Sequence, residues 1–99
     1  MQVERMIDKR GAEVFKALAH PSRLLIVREL GNREYMCVCE ITAMVESDIS
    51  TVSRHLGVLR NAGIIKSEKV ANEMHYSLAM PCVLGFLECI GNVKDGNDR

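Results

Sequence analysis

The chain has 99 residues, the length of one domain, and 47% of them are hydrophobic, enough for a small core. Thirteen Lys and Arg balance 13 Asp and Glu, and this zero net charge argues against a nonspecific nucleic-acid coat, whose affinity rests on phosphate neutralisation. No apolar run approaches the roughly 18 residues that span a membrane, and the N-terminal MQVERMIDKR is charged with no apolar leader segment, so a cytoplasmic protein with no membrane partner is expected.

Residues 3–18 predict an amphipathic first helix, with Val3, Ile7, Val14 and Leu18 near helical spacing and Met6 and Phe15 beside them. In AHPSRLLIVREL, Pro21 suits the first position of a second helix and His20 its N-cap. Gly31 and Asn32 end that helix. A short third helix is expected at about 39–45, followed by a fourth at 48–62. Ser47 or Asp48 caps the fourth helix, and Gly63 lies just past its end. Its apolar positions Ile49, Val52, Leu56 and Leu59 are spaced 3, 4 and 3.

IIKSEKV and MHYSL read as two strands joined by Ala71, Asn72 and Glu73, with Met74, Tyr76 and Leu78 alternating against His75 and Ser77. Pro81 opens a last helix at about 82–93, and the tail VKDGNDR is polar and expected to fray. With no Trp, two Phe and two Tyr, the core has to be aliphatic and methionine-rich, with room for a partner subunit to supply part of it. The expected fold is a single domain over 1–99, mainly α with a small β-hairpin, in the order α-α-α-α-β-β-α. A short helix, a tight turn, a capped helix and a hairpin make a winged helix-turn-helix candidate.

Opposite its apolar stripe, the fourth helix shows Ser50, Thr51, Ser53, Arg54 and Gly57, with Arg60 and Asn61 further on. Hydroxyls at a helix N-terminus bond phosphates or base edges, and Arg forks onto guanine. Arg54, Arg60, Lys66 and Lys69 give this region four basic residues against one acidic residue, Glu68. His55 is ambiguous: beside Leu56 it reads either as a core-edge histidine or as a DNA contact. The bland alternative for the whole face is an ordinary solvated helix.

Cys37 and Cys39 stand one residue apart, too close for an unstrained disulfide. In a reducing compartment such cysteines are more often ligands or reactive thiols than structural bridges. Packed core thiols are the plain alternative.

FKALAHPSRLLIVREL (15–30), ISTVSRHLGVLRNAGII (49–65) and HYSL (75–78) together resemble the ArsR/SmtB family of metal-responsive repressors. YMCVCEIT (35–42) is similar to the ELCVCDLC box of that family's arsenic-responsive branch, with Thr42 in place of the third cysteine. The resemblance implies a homodimer, joined through the first and last helices, that binds double-stranded operator DNA. It implies that Ser50, Thr51, Ser53, Arg54, Arg60, Lys66 and Lys69, with His55, serve the DNA face. It also implies that Cys37 and Cys39 bind trivalent arsenic as inducer, with antimony, cadmium or lead as competitors and no organic cofactor. Thiolates suit such soft ions. A third thiolate is expected from the last helix, from Cys89 or from Cys82. The wing departs from the family: its tip lacks the usual Gly with Lys or Arg, and Glu73 there is expected to repel phosphate. A thiol-redox or persulfide sensor of the same fold is the competing function. No nucleophile–base pair, phosphate loop or catalytic carboxylate pair suggests an enzyme.

Overall fold

The computed structural model describes residues 2–97. Capping chemistry cuts the chain into helices. Helix α1 (Gln2–Leu18) gives way to α2 (Pro21–Gly31), whose start is fixed by His20: its Nδ1 accepts from the Ser22 N–H at 3.1 Å. Asn32 closes α2, as expected of a residue that tolerates the end of a helix. Helix α3 (Val38–Val45) ends on Glu46 in the left-handed region at φ 58°, and Asp48 opens α4 (Ile49–Asn61). The Asp48 carboxylate accepts from the Thr51 N–H at 2.7 Å and the Ser50 hydroxyl at 2.8 Å, which satisfies the free donors of the first turn.

Gly63 follows α4 at φ +80°, and a Cβ there would stand 2.6 Å from the Arg10 guanidinium. That guanidinium donates to the Ala62 carbonyl at 2.7 Å, so the glycine lets α1 tie down the end of α4. Strands β2 (Ile65–Val70) and β3 (Glu73–Leu78) form the wing, and α5 (Cys82–Asn97) closes the chain. The expected end of α5 at 93 falls short by four residues of helix; Asp98 and Arg99, part of the expected frayed tail, lie outside the described residues.

The winged helix-turn-helix is as expected, with one addition. Met36 and Cys37 form a short strand, β1, that pairs antiparallel with β3, giving a three-stranded sheet in the order β1-β3-β2. Two residues are too few for a period-2 pattern to show in sequence. The wing turn is also tighter than read, because Glu73 is the first residue of β3 opposite Val70 and the turn is Ala71-Asn72.

The core is aliphatic. Ile26, Val27 and Leu30 of α2 meet Ile41 of α3, Val52, Leu56 and Leu59 of α4, and Ile64 and Ile65 beyond it. Burying each such side chain is worth about 1.5–3 kcal/mol. The methionine-rich core is not what forms: Met36 is buried, whereas Met44, Met74 and Met80 are half-buried and Met6 is exposed. Val3, Met6, Ile7 and Phe15 leave the outer side of α1 apolar and exposed, and Ile49 of α4 is exposed as well.

Candidate functional site

Helix α4 carries the expected polar face. Ser50, Ser53, Arg54 and Arg60 are exposed, and Thr51 is half-buried. Hydrogen bonds from the Thr51 backbone and the Ser50 hydroxyl hold the Asp48 carboxyl below the usual carboxylate range. The cap's negative charge also sits favourably at the helix N-terminus.

His55 lies elsewhere. It is buried, its Nδ1 accepts from Arg23 Nε at 3.0 Å, and its ring packs on His20 with centroids 4.5 Å apart. Burial, followed by the charges of His20, Arg23 and Arg54, pushes its pKa below the ordinary value. Arg23 also donates to the Ala17 carbonyl at 3.3 Å, so the group ties α1, α2 and α4 together. Of the two roles the sequence left open for His55, this buried and hydrogen-bonded geometry is the one expected of a core-edge histidine.

The two wing lysines part company. Strand side chains alternate between faces, so Ser67 and Lys69 share one face of β2, while Lys66 and Glu68 share the other. Arg60 of α4 reaches the Ser67 hydroxyl at 3.5 Å, which marks the first face as the one turned to α4. Lys66 instead stands opposite Ser77, beside the Glu68–His75 pair.

The cysteine pair straddles a boundary. Cys37 is the N-cap of α3 with extended backbone, and Cys39 lies in the helix's first turn. Glu40 Oε1 accepts from the Cys37 N–H at 2.9 Å, the reciprocal half of a capping box, and Arg33 holds the other Glu40 oxygen at 2.7 Å. Together these bonds keep the Glu40 carboxyl below its usual range. Cys37 and Cys39 line one open hollow with Arg33, Tyr35, Glu40 and Glu73.

The wing supplies the rest of this site. Cys37 pairs with His75 across the sheet, and Glu73 lies two residues from His75 on the same face. The Cys37 thiol donates to Glu73 Oε1 at 3.2 Å, and His75 Nε2 is 3.2 Å from the same oxygen. The hydrogen bond to Glu73 is the largest cause that pushes the Cys37 thiol up to about 11. Tyr35 stacks flat on the His75 ring, with centroids 3.9 Å apart and planes 8° apart. Sequence reasoning missed Glu73, His75 and Tyr35 as members of the site. Their alternation was visible, but the register that sets them beside Cys37 was not.

Cys82 and Cys89 are exposed on α5 and do not line this hollow. Among the described residues, all four cysteines are free thiols. No helix among the described residues is long and apolar enough to cross a membrane.

The profile described as "Bacterial regulatory protein, arsR family" matches residues 20–67, from the cap of α2 into β2. A cadmium resistance transcriptional regulatory protein, a CadC homolog of Staphylococcus aureus, is 40% identical over 67 residues. That match covers 68% of this chain and 55% of the relative, so the chain spans just over half of that protein's length. The transcriptional repressor PagR of Bacillus anthracis is 32% identical over 93 residues, 94% of this chain and 93% of PagR. The PagR crystal structure aligns with a TM-score of 0.76 at 34% identity, over 87% of this chain and 98% of that one. The homodimeric winged helix-turn-helix domain Mb0332 from Mycobacterium bovis aligns with a TM-score of 0.82 over 90% of this chain and 84% of its own, at 21% identity, a likeness of fold. Because the likeness to PagR runs over nearly the whole of both chains, this chain belongs to the arsR family of bacterial regulatory proteins, which are transcriptional regulators and not enzymes.

Proposed function

We propose that the protein is a homodimeric repressor that holds operator DNA through α4 and the wing and releases it when trivalent arsenic, or a similarly thiophilic ion, binds Cys37 and Cys39. The observation that carries this reading is the shared hollow of the two cysteines at the N-terminus of α3. Helix α3 packs against α4 through Ile41, Val52 and Leu56, so a ligand gathered at the hollow pulls on the reading helix. A coupling of about 1–3 kcal/mol shifts DNA occupancy by about 5- to 150-fold. The relative named for cadmium resistance supports an ion as the signal.

The dimer rests on the uncovered apolar face. Val3 and Ile7 lie one turn apart on α1, and Phe15 meets Phe86 of α5 with ring centroids 5.2 Å apart, next to exposed Ile90. An apolar surface of this kind on a small domain marks a protein contact. Cys89 and Cys82 sit on this same helix, so a third thiolate would reach the hollow across the subunit interface. The rival reading, a thiol-oxidation sensor, needs a ready thiolate. Release of DNA by an oxidant or persulfide in place of arsenite is the outcome that favours it.

The test is operator binding by fully reduced protein, titrated with arsenite. Release is expected from the wild type, and Cys37→Ser and Cys39→Ser are expected to bind DNA normally without releasing it. Full release of the double Cys→Ser protein overturns the assignment.

A further inference from the structure

We propose that Cys37, Glu73 and His75 form a clamp between α3 and the wing that binds a divalent transition-metal cation of the zinc class. This goes beyond the reading above. The site shares Cys37 with it, but its other two donors are a carboxylate oxygen and an imidazole nitrogen of the wing instead of Cys39.

The geometry is assembled by backbone. Cys37 and His75 are cross-strand partners, and Glu73 joins them through the two-residue repeat of β3. The Sγ, the carboxylate oxygen and the ring nitrogen all lie within 4.8 Å of one another. Two of the three separations are 3.2 Å. A tetrahedral zinc ion, with Zn–S near 2.3 Å and Zn–N or Zn–O near 2.0–2.1 Å, sets its donors about 3.3–3.6 Å apart. The two separations to Glu73 are thus close to that spacing, and the third lies within 4.8 Å.

Tyr35 fixes the imidazole plane by stacking on it, the kind of support that a ligating histidine needs. The Glu73 side chain is 64% exposed and that of His75 is 16% exposed, so one side of the trio is anchored and the other is open to a fourth ligand from solvent. A thiol with an imidazole and a carboxylate suits zinc and its neighbours and not Mg²⁺ or Ca²⁺, which take oxygen alone. Binding releases the Cys37 proton to solvent as the thiolate joins the ion. Cys37 serves one ion at a time, so a zinc-class cation and trivalent arsenic compete for it.

The experiment uses full-length, reduced protein with Co²⁺ as a spectroscopic probe and Zn²⁺ as its displacer, without DNA. The expected result is a sulfur-to-cobalt charge-transfer band that Zn²⁺ abolishes. Cys37→Ser removes the band. Glu73→Gln and His75→Gln each weaken Zn²⁺ binding by at least about tenfold, while Cys39→Ser changes it by less than about threefold. Circular dichroism confirms that each variant is folded. Absence of the band in the wild type, or His75→Gln binding Zn²⁺ as the wild type does, overturns the proposal. So does a Cys39→Ser loss as large as that of Cys37→Ser, which places the cation on the cysteine pair. The arsenite titration is separate: if it fails while the cobalt experiment succeeds, the inducer reading falls and this site stands, and the reverse outcome does the opposite.

Discussion

The Cys37 thiol gives its hydrogen to the Glu73 carboxylate across 3.2 Å, from the cap of one helix to the start of a wing strand. That bond, more than burial, lifts the thiol from 9.0 to about 11. Replacing the carboxylate by an amide removes the negative acceptor. Glu73→Gln is therefore expected to speed alkylation of Cys37 by iodoacetamide near neutral pH by at least about tenfold, because the thiolate is the nucleophile. The measurement uses protein in which Cys39, Cys82 and Cys89 are Ser. An unchanged rate shows that Glu73 does not govern this thiol.

The wing lysines provide a second check. Lys69 shares its strand face with Ser67, which Arg60 of α4 meets, and Lys66 points to the other side. Lys69→Ala is expected to weaken operator binding and to lower the slope of log affinity against log salt by about one per protomer. Lys66→Ala is expected to leave both nearly unchanged. Equal effects from the two substitutions mean that the wing meets DNA edge-on.

Arg54 and Arg60 separate by role. Arg54→Ala is expected to cost about 1–3 kcal/mol and to relax sequence preference if its guanidinium reads a base edge. If Arg60, which reaches Ser67 of the wing, meets phosphate, Arg60→Ala should weaken all sequences alike. Competition between operator and scrambled duplex distinguishes these outcomes.

The apolar face predicts assembly. Ile7→Asp or Ile90→Asp puts a charge on a surface that is 64% or 58% exposed in one subunit, so neither should unfold the subunit. Both are expected to shift sedimentation towards monomer and to reduce operator affinity. A variant that stays dimeric shows that the subunits meet elsewhere.

His55 sets an acid limit on stability. Its pKa lies below the ordinary 6.5, with burial as the largest cause. The unfolded chain therefore takes up a proton below about pH 6.5 that the folded chain refuses, so stability is complete above that pH and falls as pH drops below it. Glu40, Glu73 and Asp48 are also held below their ordinary values of 4.5, 4.5 and 3.8, so their contributions are lost only at lower pH. Denaturant midpoints at pH 7.5 and 5.5 should fall in the wild type and fall less in His55→Gln. Parallel falls assign the pH response to other groups.

Local chemistry made most of the helices legible. Pro21 with His20, Asp48, and Gly63 each mark a boundary by what their own backbone or side chain can do, and each stands where it was read. The strand beside Cys37 was not legible, because two residues carry no period and the partner lies nearly forty positions away. The same gap hid half of the candidate site. Glu73 looked like a charge at a wing tip, and only the register of β3 shows its carboxylate turned to Cys37 and His75. His55 was ambiguous for a related reason: its acceptor nitrogen is used by Arg23, a residue on another helix.

Strand β1 joins the hollow to the wing through only two residue pairs. If ligand in the hollow loosens the protein's hold on DNA, thermodynamic reciprocity requires DNA to loosen the hold on ligand by the same factor. A repressor seated on its operator is then a less sensitive detector than the same protein free in solution. The ion concentration that switches a gene would rise with the strength of its operator, so one sensor could set different thresholds at different sites.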